Sequence, residues 1–433
     1  MNVFSHRDQD FDDQINRLLA PSSLFDPAIE RQTQSIIDAV RTRGDAALAE
    51  LTERFHGPKL SPDNFAVSQA ECLAAAVQAD PELRAAVAET HKNVTAFAKR
   101  SLRKDWSMHN SHGAMVGEKF DPFGRVGMYI PGGMAPLVST ALMTIPLARA
   151  AGCREIVVCT PCDRAGRINP AVLYAAKLAG ATEIYRIGGA QAIAAMALGT
   201  PAITKVNKIF GPGNAYVVAA KRLLFGYAAI DLLPGPSELL VLADDSGDAV
   251  CIAADLLAQA EHGSGLERVW FLTTSGKLLN AVKKEIARQS PLAGRAGLIK
   301  PVLERNTWLI EVADLAQGID LANRLAPEHL EIVTKNAARV AQKLTTAGAL
   351  FLGVWSPTVL GDYVAGPSHT LPAGGTGASF AGLTVDQFQR RTSLVSYTRP
   401  ALKKAMKTVK KFAELEGLDA HGRSAELRLK ARR

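Results

Sequence analysis

Several features that would announce a function at once are missing from this chain. Five cysteines among 433 residues, an odd number, do not form a disulfide framework. No apolar run approaches the roughly 20 residues needed to span a bilayer. The opening "MNVFSHRDQDFDDQINRLL" holds no apolar stretch suited to a signal peptide. We therefore expect a soluble, cytoplasmic protein with no membrane association. A complete G-x-G-x-x-G is also absent: "GPGNAY" (211 to 216) starts as G-x-G but lacks the third glycine. Any nucleotide site is then not the ordinary Rossmann one, although glycine turns after strands still let backbone N–H groups approach a phosphate. "CTPC" (Cys159, Cys162) has zinc-ligand spacing but no second pair to close a tetrahedron, and it ends an apolar strand, so it reads as core packing.

Acidic excess is missing as well; the formal net charge is +8. The placement of that charge argues against nucleic acid. From Arg399 onward there are 11 Lys/Arg against 4 Asp/Glu, so the tail carries most of it. Within the tail Leu402, Ala405, Met406, Val409, Phe412 and Ala413 follow helical spacing, with Lys403, Lys404, Lys407, Lys410 and Lys411 between them. That is an amphipathic helix over 399–416 with a solvated basic face. It lacks interleaved aromatics and a reading motif, so no nucleic-acid partner is expected.

What is present is a core-sized share of apolar residues, 47%. At about 150 residues per domain the length implies two to three domains. The first 120 residues read as helices with short breaks. From "RVGMYIPGG" (125 to 133) the texture changes to short apolar runs such as "EIVVCTP", "EIYRIGG", "ELLVLAD" and "RVWFLTT", each followed by a turn and a helical stretch. Strands alternating with helices imply βα units and largely parallel sheets. "AGCREI" (151 to 156) and "AGATEI" (179 to 184) repeat one pattern at a spacing of 28, which suits one strand-plus-helix unit. The expected architecture is a two-lobed α/β protein.

Of nine histidines, His6, His56, His91, His109 and His112 lie in polar, helix-rich surroundings that suit surface or capping roles. The other four, His262, His329, His369 and His421, sit beside acids or glycines. "QAEHGSG" places Gln259 and His262 on one face at the end of a helix. "GDYVAGPSH" offers Asp362, "ELEGLDAH" offers Glu416, and "APEHLEI" offers Glu328. Zinc accepts imidazole nitrogen and carboxylate or amide oxygen. Spacing alone does not say which of these groups meet.

The ordered blocks resemble the histidinol dehydrogenase family, from "VRTRGDAALAELTERF" near the start to "AELEGLDAHGRSAELRL" at the end. Between them come "VGMYIPGGMAPLVSTALM", "KIFGPGNAYVVAAKR", "GPSELLVLAD", "LLAQAEHG", "RLAPEHLEI" and "GDYVAGPSHTLP". The resemblance implies NAD-linked, four-electron oxidation of L-histidinol to L-histidine through L-histidinal, the last two steps of histidine biosynthesis. It implies one zinc per subunit on Gln259, His262, Asp362 and His421, with Glu328 and His329 as acid/base groups. NAD would contact Tyr129, Gln191 and Asn214. The substrate would meet Ser237, Gln259, His262, His329, Asp362, Glu416 and His421, with His369 also near the site. Pro327 fits a helix start, which would favour an ionised Glu328.

The family resemblance further implies two incomplete Rossmann-like parallel-sheet domains, with small helical segments at both termini, in an intertwined homodimer with shared active sites. The expected division is a helical arm over 1–25, a first α/β domain from 26–128 with 238–381, a second with the NAD contacts over 129–237, and a helical segment over 382–433 reaching the partner subunit. The alternative is a paralogous zinc- and NAD-dependent dehydrogenase of another small polar alcohol, such as a sulfonated propanediol.

Overall fold

The short apolar runs become the strands of two open parallel sheets, as expected. As a computed structural model, the structure describes residues 1–19, 26–132 and 136–430. Residues 20–25, 133–135 of "PGGMAP", and 431–433 of the basic tail lie outside the described residues. In one sheet the spatial order is Glu183–Tyr185, Glu155–Cys159, Arg125–Tyr129, Lys208–Phe210 and Ala229–Ile230, all parallel. In the other it is Asn2–Ser5, Thr307–Glu311, Arg268–Thr273, Glu238–Ala243, His329–Val333 and Ala349–Leu352, again all parallel. Leaving aside Asn2–Ser5 at the edge, both sheets follow one winding. The chain steps outward from a first strand to a second and third, then crosses back to lay the fourth and fifth on the other side. This is the 3-2-1-4-5 order of a Rossmann sheet without its sixth strand.

Local sequence accounts for much of this. "ELLVLA" at Glu238–Ala243 is buried at all six positions, the unbroken apolar run that a strand covered on both faces requires. The repeated Ala-Gly-x-x-Glu-Ile is a helix stop joined to a strand start. Gly152 and Gly180 close the helices Val138–Ala151 and Pro170–Ala179 in the left-handed conformation, and Glu155 and Glu183 open the next strands.

Three expectations about the domains are corrected. The helices between Pro27 and Ser101 do not join the six-stranded sheet. Ile37, Val40, Leu48 and Phe65 pack with Tyr129, Val157 and Ile193, while Val87, Val94 and Ala98 pack with Met128 and Ile156, all in the five-stranded unit. An amphipathic helix displays which face is apolar but not which sheet will receive it. At the N-terminus, Asn2–Ser5 is a sheet strand, and the helix Phe11–Leu19 buries Phe11, Ile15 and Leu18 against Trp270 and Ile310, so these residues are core rather than an arm. After 382 the chain is not purely helical. Gln389–Ser396 pairs antiparallel with Met115–Pro122, which also pairs with Trp106–His109, and Phe388 stacks on Phe210 at 3.9 Å. The amphipathic helix itself is present at Arg399–Leu415; it buries Ala401, Ala405, Met406 and Ala413 but leaves Phe412 and Leu415 exposed. Among the described residues no helix is long and apolar enough to cross a membrane.

Candidate active site

The candidate acid/base pair starts a strand, not a helix. The helix Leu315–Leu325 ends at Ala326, a non-glycine residue at φ +46°, and Pro327 leads into the strand His329–Val333. Glu328 and His329 are buried side by side at its amino end. One residue of the neighbouring strand serves both: the N–H of Glu238 donates to Glu328 Oε2 at 2.9 Å, and its carbonyl lies 3.0 Å from His329 Nδ1. A carbonyl only accepts, so Nδ1 carries the proton and Nε2 presents its lone pair. Nε2 stands 4.0 Å from Asp362 Oδ1. Burial pushes His329 down to about 4, so the ring is neutral at physiological pH. Burial, followed by the nearby carboxyls of Glu238 and Asp362, holds Glu328 well above the ordinary carboxylate range. The helix start expected to favour an ionised Glu328 is therefore absent, and burial instead makes its carboxyl hold a proton more readily than an ordinary carboxylate.

Asp362 is a hub. His369 Nδ1 lies 3.8 Å from the same Oδ1 that faces His329. On the other side Asp362 lines a small cavity with Gln259, His262, Asp255, Glu331 and Thr358. Gln259 is buried near the end of the helix Ala249–Ala260, and its Nε2 has no hydrogen-bond partner. The backbone carbonyl of Gln259 lies 3.0 Å from His262 Nδ1, which fixes the tautomer and leaves His262 Nε2 free to ligate. An amide, an imidazole and a carboxylate thus share one cavity beside the acid/base pair. Ser237 adjoins it in sequence through Glu238 and hydrogen-bonds Glu328.

The three dinucleotide candidates gather at the carboxyl ends of the five-stranded sheet. Tyr129 closes its first strand and is buried, and its hydroxyl accepts from Gly189 N–H at 2.9 Å. Burial raises that hydroxyl to about 12. Gln191 lies in the first turn of the helix Gly189–Leu198, buried, with Oε1 unpartnered. Asn214 caps the helix Ala215–Leu223, accepting from the N–H groups of Tyr216 and Val217 at 3.1 and 3.2 Å. These turns follow the first, third and fourth strands and flank the point where the winding reverses, where open α/β sheets receive ligands.

Glu416 and His421 are not brought to the cavity. Both are exposed in the C-terminal helical segment, at the end of Arg399–Leu415 and in Asp419–Lys430. Among the described residues no group of three or more His, Cys, Asp or Glu side chains is arranged to hold a metal.

Three buried polar pairs went unnoticed in the sequence. Asp255 and Glu331 share a hydrogen bond in the wall of the cavity, and burial together with the Glu331 carboxylate raises Asp255. Glu331 Oε1 also accepts the N–H of Thr358 at 2.6 Å. The signal was available: Asp255 stands one helical turn before Gln259, and Glu331 lies on the His329 side of its strand. The second pair is Glu238 and Arg268, 3.6 Å apart, with the guanidinium over Trp270 and Trp308 at 4.7 and 5.7 Å. The third, Lys221 with Asp231, lies completely buried under the dinucleotide turns.

With the geometry in place, known proteins supply the lineage. The family model described as histidinol dehydrogenase matches residues 21–429. A histidinol dehydrogenase of Heliobacterium mobile is 41% identical over 95% of this chain and 96% of its own length. One of Geobacillus kaustophilus is 43% identical over 92% and 94%. A crystal structure of histidinol dehydrogenase from Elizabethkingia anophelis superposes with a TM-score of 0.94 at 34% identity, covering 99% of this chain and 98% of that one. Matched from end to end in sequence and in fold, this chain belongs to the histidinol dehydrogenase family and is an oxidoreductase.

Proposed function

We propose that this protein oxidises L-histidinol to L-histidine through L-histidinal, in two successive NAD-linked steps beside a single zinc, as a cytoplasmic homodimer with shared active sites. The observation that carries the reading is the Glu238 backbone, whose N–H and carbonyl hold Glu328 and His329 together next to the cavity of Gln259, His262 and Asp362. One centre can then serve both an alcohol and an aldehyde step.

The donor set suits zinc. Gln259 offers an amide oxygen, His262 an imidazole Nε2 left open by the bond at Nδ1, and Asp362 a carboxylate, all lining one cavity and all donor types that zinc accepts. Gln259, His262 and Asp362 would hold the ion, with His421 supplied by a second copy of the chain. Zinc there would act as a Lewis acid and a template for the amino alcohol. For the dinucleotide, which would accept the hydride, the buried and unpartnered Gln191 Oε1 and the close-packed glycine turns make a fitting cradle.

The chain's own groups divide the proton work. His329 takes the hydroxyl proton at Nε2 as hydride leaves, while its Nδ1–H stays on the Glu238 carbonyl. Glu328, enclosed and basic for a carboxyl, draws a proton from the water that adds to the aldehyde, so a second hydride can leave. Ser237 and, from the second copy, Glu416 suit the hydroxyl and cationic amine of the substrate.

The test is NADH formation from zinc-loaded protein at limiting L-histidinol, with a chelator-treated control. Two NADH per histidinol, lost on chelation and restored by zinc, is the expected result. One NADH would remove Glu328 from the proposed role. None from a folded, metal-bound protein would transfer the reading to another polar alcohol, the sulfonated propanediols included.

A further inference from the structure

The reaction as described leaves Lys221 and Asp231 without a part. Both side chains are fully buried, Lys221 in the helix Ala215–Leu223 and Asp231 just past the strand Ala229–Ile230, and they are in direct contact. A buried ion pair contributes little net stability, because desolvation offsets most of the attraction. Its location shows what else it does. The two groups grip the same residue from both sides. Asp231 Oδ2 accepts the N–H of Gly211 at 2.8 Å, and Lys221 Nζ donates to the carbonyl of Gly211 at 2.9 Å. Asp231 Oδ1 is itself braced by the N–H of Leu232 at 2.7 Å.

Gly211 is a residue that needs gripping. Its φ is +112°, and a Cβ there would lie 2.2 Å from the carbonyl oxygen of Tyr129. The turn is thus pressed onto the strand end that carries one dinucleotide candidate, and three residues later it delivers another, Asn214. Gly213 is equally tight, since its Cβ would meet Val217 at 2.3 Å. Without the pair, the buried N–H and C=O of Gly211 would both lose their partners, and the turn would have to leave Tyr129 to recover them in water.

We propose that Lys221 and Asp231 are positioning residues for the dinucleotide: by clamping the backbone of Gly211 they hold the 211–214 turn against Tyr129 in the shape that receives the cofactor. The proposal rests on the reading of Tyr129, Gln191 and Asn214 as the NAD contacts.

The test separates stability from positioning by removing both charges together. Breaking one partner alone strands a buried charge, whereas replacing the whole pair with apolar groups of similar volume is commonly tolerated. In K221M/D231V, measured as the zinc-loaded full chain, the melting midpoint should stay within about 5 °C of wild type. The dissociation constant for NADH, read by fluorescence titration, should rise about tenfold or more, the loss expected when a buried charge-assisted hydrogen bond no longer holds the site. The KM for the dinucleotide should rise with it, while the KM for histidinol stays within about twofold; a merely structural role would move both alike. A folded double variant that binds NADH as wild type does, or whose two KM values rise together, overturns the proposal. Should that variant not fold, the milder K221M/D231N, which keeps an acceptor for the Gly211 N–H, decides: a dissociation constant raised about threefold supports the clamp and an unchanged one removes it. Wild-type protein that binds no NADH would instead sink the cofactor reading itself.

Discussion

The two parallel sheets wind in the same order, yet their candidate sites lie at opposite edges. In the five-stranded sheet Tyr129, Gln191 and Asn214 sit past the carboxyl ends of the strands, where the helices Gly189–Leu198 and Ala215–Leu223 begin. Helix starts present N–H groups and the positive end of the dipole, a surface for an anionic cofactor. In the six-stranded sheet Glu238, Glu328 and His329 cluster at the amino ends, where the helix Ala249–Ala260 finishes with Gln259. Helix ends present carbonyls and the negative end of the dipole, a surface for a metal ion and a cationic amine. One winding therefore provides two chemically opposite edges, and the site chemistry follows the edge that is used.

The sharpest way to break this division is at the amino edge. H329Q keeps a polar group in the pocket but removes the base, and kcat should fall by roughly 10²–10⁴. NADH titration of the same variant should match wild type, because the dinucleotide edge belongs to the other sheet. A parallel loss of NADH binding would show that the two edges form one inseparable unit.

At the carboxyl edge the expected effect is smaller. Q191L removes the unpartnered buried amide and should raise the KM for NAD about tenfold, or about 1.4 kcal/mol. Zinc content by elemental analysis should not change. A zinc-depleted Q191L would place Gln191 with the metal rather than with the dinucleotide.

How much of this was legible in the sequence differs between the same two regions. Strands such as "ELLVLA" and the helix-stop repeat at Gly152 and Gly180 are local signals, and the chain obeys them. The destination of the helices between Pro27 and Ser101 is a matter of which apolar face meets which sheet, and no local pattern encodes it. The spacing of "QAEHGSG" suggested one helix face for Gln259 and His262; the helix stops at Ala260, and His262 reaches the same cavity from the turn beyond it. That Asp362, about a hundred residues later, joins them in one cavity became visible through the family resemblance and the coordinates, not through periodicity. The helix start expected before Glu328 failed because proline also leads into strands; the preceding Ala326 at positive φ ends one helix without beginning another.

The exposed His421 sharpens the contrast in another way, since the amino-edge cavity lacks its fourth expected ligand within the chain. If that ligand comes from a second copy, H262A and H421A should each be inactive alone. Unfolded together and reassembled in equal amounts, they should recover roughly a quarter of the wild-type sites, because half of the dimers are mixed and each mixed dimer has one intact site. Recovery of none would place both residues at the same chain's site.

The last test reads stability rather than activity, at the buried acid behind the pair. Burial raises Glu238 to about 7, so the folded protein holds a proton there that the unfolded chain releases near the ordinary value of 4.5. A group raised on folding contributes stability that is complete below the unfolded value and is lost as pH climbs through the folded one. In metal-free protein this contribution should disappear between pH 4.5 and 7, a change on the order of 3 kcal/mol, seen as a melting midpoint that falls by several degrees. His329 acts in the opposite sense: pushed down to about 4, it costs stability as pH falls below 6.5. The two are told apart by E238Q, which keeps the backbone contacts to Glu328 and His329 but cannot ionise. Its melting midpoint should vary less than that of wild type on the alkaline side, while the acid-side fall due to His329 remains. An E238Q curve parallel to wild type across the whole range would mean that Glu238 is already ionised beside Arg268, and that the amino edge holds one more negative charge than its burial allows.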